Sequence, residues 1–290
     1  MRDTGPVVVG IDELSTSEAA LRWGIEQAGL LATTLRLVCA YRWAFISPGE
    51  MGYEVPAIER QELLQHAENT LRRACEQASA LAPELAVESA AVDGDAVSVL
   101  LAESSHAAVL ILGSRQLKTF GSVVLGSVAA AVSARAQCPV VVLRVPAGDP
   151  AEEPAVIVGV DGTEGSEAVI AFGFDYASRN RLPLKAVLCW KDHFSVGPWQ
   201  HTRRSFERAE FWLSEALAGW REKYPDVEVR SGVIHDGPVP GLVADSVGQN
   251  LLVVGTRGRN ALAGTLLGSV SQGVLHHALC PVAVVPSHVG

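Results

Sequence analysis

The sequence predicts an α/β fold built twice in tandem, each copy a five-stranded parallel sheet layered with helices. Three observations carry that prediction. Val7-Val8-Val9-Gly10-Ile11-Asp12 returns as Val156-Ile157-Val158-Gly159-Val160-Asp161, each followed five residues later by Ser-Glu-Ala, while Leu125-Gly126-Ser127-Val128 and Cys138-Pro139-Val140 return as Leu267-Gly268-Ser269-Val270 and Cys280-Pro281-Val282. Within each copy, short β-branched runs alternate with longer segments of helical period, the pattern of βαβ units. Runs such as Val109-Leu110-Ile111-Leu112 and Leu251-Leu252-Val253-Val254 are apolar without alternation, as strands covered on both faces are.

Taken in order, the strands of the first copy fall at roughly 6–12, 34–41, 85–92, 108–113 and 139–145, and those of the second at roughly 155–161, 182–190, 227–234, 250–255 and 281–286. The first strand of each copy is the Val/Ile run that closes on Asp12 or Asp161, and the fourth is the unbroken apolar run that closes on Gly113 or Gly255. The fifth follows the Cys-Pro pair. Residues 1–146 and 155–290 are the two copies, and 147–154, polar and proline-containing, have the composition of an exposed connection.

A chain of 290 residues, 48% apolar and 19% charged, suits two domains with sizeable cores. With 23 basic against 32 acidic side chains, a net charge of -9 and no Lys/Arg run, it lacks the surface that neutralises nucleic-acid phosphates. Five widely spaced cysteines without a C-x-x-C pair suggest neither a disulfide framework nor a zinc ribbon. The N-terminus runs straight into a strand with no signal-peptide core, and the longest apolar stretch, Val123 to Leu143, carries Arg135. A cytoplasmic protein without membrane or nucleic-acid partners is expected.

In open parallel sheets, ligands collect beyond the carboxyl ends of the strands. After strand four the second copy reads Gly255-Thr256-Arg257-Gly258, nine residues, then Gly268-Ser269-Val270-Ser271 at the start of a helix. Glycines permit close backbone approach, and a helix N-terminus attracts anions, so the pattern reads as a phosphate cradle. It is neither a G-x-x-x-x-G-K-[S/T] loop nor a G-x-G-x-x-G turn, neither of which occurs in the chain. No G-x-S-x-G elbow is present, and no catalytic constellation emerges.

The G-x-x-G, nine residues, G-S pattern, the aspartate closing strand one and the terminal C-P-V-x-V strand together resemble the universal stress protein family in tandem form. The resemblance covers essentially the whole chain. It implies a Rossmann-like sheet, of the adenine nucleotide α-hydrolase-like kind, with strand order 3-2-1-4-5. It also implies ATP as ligand, with or without Mg, and a nucleotide-dependent role in the stress response with little or no hydrolysis. A slow ATPase or other adenine-nucleotide enzyme, and a structural module without nucleotide, stay open as alternatives. By position, the second site takes Asp161, Cys189, Gly255, Arg257, Gly258, Gly268, Ser269, Val270 and Ser271. The first takes Asp12, Ala40, Gly113, Gly126, Ser127 and Val128, and departs at Gln116 for Gly258, Ala129 for Ser271 and Glu13 for Gly162. The second site is therefore expected to bind more tightly. The implied order leaves each apolar fifth strand at an edge, which invites the two copies to pair through them as a pseudo-dimer. A homodimer of the tandem chain is a further expected assembly.

Several features receive plainer readings. Arg257 and Arg259, with Arg115 and Lys118 in the first copy, either offset phosphate charge or are loop cations. His276 and His277 are adjacent on a helix and do not share a face, which argues against metal ligation, and His277, opposite Arg135 of the first copy, reads as a cation at the helix C-terminus. His235-Asp236 reads as a turn into Gly237, and Trp23, Trp190, Trp212 and Trp220 as packing residues.

Overall fold

The computed structural model describes residues 5–42, 57–113, 125–144, 151–163, 165–189, 199–256 and 267–287. The first half runs β1 (Val7–Gly10), α1 (Leu14–Leu30), β2 (Leu35–Tyr41), α2 (Ala57–Leu81), β3 (Val87–Asp93), α3 (Ala96–Glu103), β4 (Val109–Gly113), α4 (Ser127–Arg135) and β5 (Val140–Leu143). The second runs β6 (Val156–Val160), α5 (Ser166–Asn180), β7 (Leu184–Cys189), α6 (Trp199–Lys223), β8 (Val229–Ile234), α7 (Pro238–Asp245), β9 (Leu251–Gly255), α8 (Ser269–His277) and β10 (Val282–Val285). The strands expected from sequence are all present. The first strand of each half is shorter than its apolar run, because the chain turns at Asp12 or Asp161 to enter the next helix.

The strands form one sheet in the order β3-β2-β1-β4-β5-β10-β9-β6-β7-β8. Each half thus has the 3-2-1-4-5 order, with parallel neighbours throughout. The halves join where β5 and β10 pair antiparallel, with Val142 opposite Val282, Val141 opposite Ala283 and Val140 opposite Val284. Every residue of these two strands is buried. Two apolar edges that would template aggregation are removed by pairing with each other. The outermost strands, β3 and β8, are part-exposed and bear Glu88, Asp93 and Arg230, charges that discourage further pairing.

Each face of the sheet carries a core that runs through both halves. On one, Val7, Val9 and Val158 pack beneath Leu21 of α1, Leu71 of α2, Ile170 of α5 and Leu217 of α6. On the other, Val8, Leu110, Ile157 and Leu252 pack beneath Leu100 of α3, Val132 of α4, Leu242 of α7 and Leu275 of α8. The halves also meet between α1 and α5. Trp23 stacks on Tyr176 with ring centroids 5.7 Å apart, and Gln27 Nε2 donates to Asn180 Oδ1 at 3.0 Å. The Tyr176 hydroxyl donates to Asn250 Oδ1 at 2.9 Å, and burial pushes its pKa above the ordinary phenol value. Trp212 and Trp220 pack against the same core, as expected, while Trp190 lies outside the described residues.

The repeat extends to how closely the first helix of each half approaches its first strand. A Cβ on Gly24 would stand 2.5 Å from Val9 Cγ2, and one on Gly173 would stand 2.4 Å from Val158 Cγ2. Val is stiff at χ1, so helix and strand must separate to admit a methyl group. Gly173→Ala is expected to lower stability by about 1–3 kcal/mol in urea unfolding. Gly219→Ala, on α6 with open space around it, is expected to raise it by about 0.4–1 kcal/mol. Equal effects of the two would contradict this packing.

Candidate functional site

Strand order reverses between β1 and β4 in the first half and between β6 and β9 in the second, and in such sheets ligands collect beyond the carboxyl ends of those strands. In the first half a crevice lies there, a cavity of about 190 Å³. Val38, Leu100 and Leu112 give it apolar walls, while Asp12, Ser17 and Ser127 bring polar groups to it. All six residues assigned to the first site from sequence, Asp12, Ala40, Gly113, Gly126, Ser127 and Val128, line this cavity. Ala129, where the second copy has Ser271, lines it too.

The helix that begins beside each reversal point is capped by a glycine. Gly126 precedes α4 with φ -65 and ψ 144, and Gly268 precedes α8 with φ -62 and ψ 150, neither with a side-chain capping bond. A glycine cap offers no oxygen to the first-turn N–H groups, so those donors and the positive end of the helix dipole are left to an anion. Ser127 and Ser269 open the two helices and are exposed. Gly268 is held in place by donating its N–H to Thr256 O at 2.8 Å.

Ser271 is also engaged within the protein itself. It is buried, and its hydroxyl donates to the carbonyl of Gly255, tying the first turn of α8 to the end of β9. Ala129 lacks that tie in the first half.

The aspartate after strand one is fixed within its own loop. Asp161 Oδ1 accepts from Thr163 N at 3.0 Å, Thr163 Oγ1 at 2.7 Å and Ser166 Oγ at 2.8 Å. Ser166 Oγ in turn accepts from Asp161 N at 3.2 Å, and Ser17 does the same for Asp12 N at 3.4 Å. Ser17 and Ser166 stand out in the sequence only as part of the repeated Ser-Glu-Ala, yet they hold the loops that carry the aspartates. Between aspartate and serine the two backbones part. Gly162 has φ 81, in the left-handed region, whereas Glu13 is extended with φ -129 and ψ 143. The exchange of Glu13 for Gly162 is thus a change of loop conformation as well as of charge.

Cys189 lies at the end of β7, its Sγ 3.9 Å from Pro238 O. Burial, with Asp245 and Asp236 nearby, pushes its thiol up to about 11, so it is a neutral packing and hydrogen-bonding group at physiological pH. Val270 is half-buried on the first turn of α8. Arg257, Gly258 and Arg259, with Arg115, Gln116 and Lys118 of the first copy, lie outside the described residues. Away from the crevices, Asp236 Oδ1 accepts from Gly237 N at 2.6 Å just beyond the outer strand β8, a turn as expected. His276 and His277 end α8. Among the described residues no three His, Cys, Asp or Glu side chains gather as a metal site, and no helix is long and apolar enough to cross a membrane.

The universal stress protein family profile matches residues 4–144 and again 154–286. A universal stress protein of Mycobacterium bovis is 37% identical over 286 residues, covering 96% of both chains. One from Mycolicibacterium smegmatis is 32% identical over 293 residues with 96% of each covered. The crystal structure of a universal stress protein from Archaeoglobus fulgidus has the same fold, with a TM-score of 0.68 over 97% of this chain and 98% of that one, at 16% identity.

The two loops after strand one should respond unequally to the same residue. Gly162→Ala places a Cβ on left-handed backbone and is expected to cost about 1–2 kcal/mol. Glu13→Ala, on extended backbone, should change stability by less than about 0.5 kcal/mol. Denaturant unfolding of both variants checks the difference, and a neutral Gly162→Ala would refute the loop geometry.

Proposed function

The chain belongs to the universal stress protein family as a tandem of two of its domains, and from that premise we propose that it binds ATP as a regulatory module of the stress response, with little or no hydrolysis. One observation supports this reading above the others. A crevice with apolar walls at the point of strand reversal ends on a helix N-terminus capped by glycine, and the same backbone recurs in the second half. The apolar walls suit a purine, the strand-one aspartate a donor group of the nucleoside, and the first-turn N–H groups the phosphates.

The second copy is the tighter site in this proposal. It retains Gly255, Gly258, Gly268 and Ser269, and Ser271 fixes the helix carrying the cradle to the strand beside it. The first keeps a shaped cavity but has the carboxylate Glu13 where the second has Gly162, and it lacks the Ser271 tie. Mg would arrive on the nucleotide, since it is commonly held by phosphate oxygens with one or two carboxylates. Fast phosphoryl transfer needs a positioned base and charge stabilisers around the γ-phosphate. The described crevice residues offer chiefly backbone N–H groups and small hydroxyls, groups that bind phosphate without activating water. Among the described residues none of the five cysteines is in a disulfide, which fits a reducing cytoplasm.

Calorimetric titration with ATP, paired with a phosphate-release assay, tests the proposal. Binding at the second copy is expected to weaken in Gly258→Gln and Gly268→Ala and to fail in Asp161→Ala. Turnover should stay well below the ~1–10³ s⁻¹ of ordinary enzymes. Binding undiminished in all three variants, or vigorous hydrolysis lost in Asp161→Ala with affinity unchanged, would overturn it.

A further inference from the structure

Arg144 follows β5 and is buried, yet no part of the nucleotide reading uses it. The antiparallel register that sets Val142 opposite Val282 continues to place Arg144 across from Cys280, just beyond the end of α8. There its guanidinium crosses from the first copy into the second. Nη1 donates to the carbonyl of Leu275 and Nη2 to that of His276 at 3.0 Å. Both carbonyls lie in the last turn of α8, where helix geometry leaves acceptors unfilled and the dipole favours a cation. Burial lowers the pKa of Arg144, but a guanidinium remains charged at neutral pH.

The repeat makes this clamp one-sided. At the same register position on β10's side stands Pro286, which has no N–H and no side-chain donor to reach the end of α4. In α4, Arg135 Nε donates to Ala131 O of its own helix at 3.4 Å, one turn back from the C-terminus. Of the two helices whose N-termini face a crevice, α8 alone has its far end gripped by the other copy through this position. Its near end is tied by Ser271 to Gly255 and by Gly268 to Thr256. The two ends of the helix are roughly 13 Å apart at 1.5 Å per residue.

We infer that Arg144 is a positioning residue through which the first copy sets the phosphate affinity of the second copy's site. It fixes α8 lengthwise, and its charge at the helix C-terminus adds to the positive potential at the N-terminal cradle. This rests on the nucleotide reading above and adds a direction of control, from first copy to second. The coupling is carried by helix position and charge, so it acts on phosphates and not on the nucleoside.

Titration of the full chain with adenosine, AMP and ATP, followed by NMR at the Ser269 and Ser127 amides, separates the two sites. In Arg144→Gln and Arg144→Met, the ATP affinity reported by Ser269 should fall about fivefold. AMP should lose less, adenosine should be unchanged, and the Ser127 response should stay as in the parent. Arg144→Lys, which keeps the charge, should restore most of the ATP affinity. Should neither neutral variant fold, hydrogen exchange on the unaltered chain decides by reciprocity. ATP should then slow exchange of the Ala278 N–H, bonded to Val274 O at the clamped end, more than that of Ala136 in α4. A parent chain that binds no ATP overturns the functional reading and this inference with it. A parent that binds ATP, with variants that weaken adenosine and ATP alike or neither, overturns the inference alone, as does equal slowing at Ala278 and Ala136.

Discussion

Strands β5 and β10 are apolar along their whole length, and neither is stable in water as a bare edge. Each is the terminal strand of its half, so each needs a partner, and the tandem chain supplies one in the other. Much follows from that pairing. It turns two sheets into one, with cores that run through both halves on both faces. It brings α1 against α5, where Trp23 meets Tyr176 and Gln27 meets Asn180. It also carries Arg144 to the end of α8.

The crevices depend on a second constraint, the reversal of strand order beside the first strand of each half. Adjacent parallel strands whose crossovers leave in opposite directions open a gap at their carboxyl ends. Into that gap a glycine-capped helix presents donors that its own cap does not consume. Duplication gives the chain this arrangement twice, and single exchanges then make the copies unlike. Gly162 against Glu13 changes the loop after strand one, Ser271 against Ala129 changes how the cradle helix is moored, and Arg144 against Pro286 changes what holds its far end.

Much of this was legible in the sequence. Buried strands read clearly because unbroken Val/Ile/Leu runs have few other uses in a chain of this composition, and the repeat placed each twice. The residues around the first cavity were legible as well, because backbone position, not side-chain chemistry, puts Gly113, Gly126 and Ser127 there. Roles that depend on partners distant in sequence were not legible. Nothing local to Ser271 says that its proton goes to Gly255, sixteen residues earlier. Arg144 read as the end of a strand, although an arginine closing an otherwise apolar run was a signal that a charge would be carried inward. Ser17 and Ser166 were visible in the repeat, but their bonds to Asp12 and Asp161 needed the fold of the turn. The glycine-loop residues Arg257, Gly258 and Gln116 fall outside the described residues and rest on sequence spacing.

Nucleotide recognition in this chain rests on phosphate binding at the N-terminus of α8. A crystal structure of the full chain grown with a non-hydrolysable ATP analogue tests it most directly. Density for the phosphates within hydrogen-bonding distance of the first-turn N–H groups of α8, with the base between the ends of β6 and β9, is the predicted result. Nucleotide seated elsewhere on the molecule, with that helix terminus bare, would contradict it.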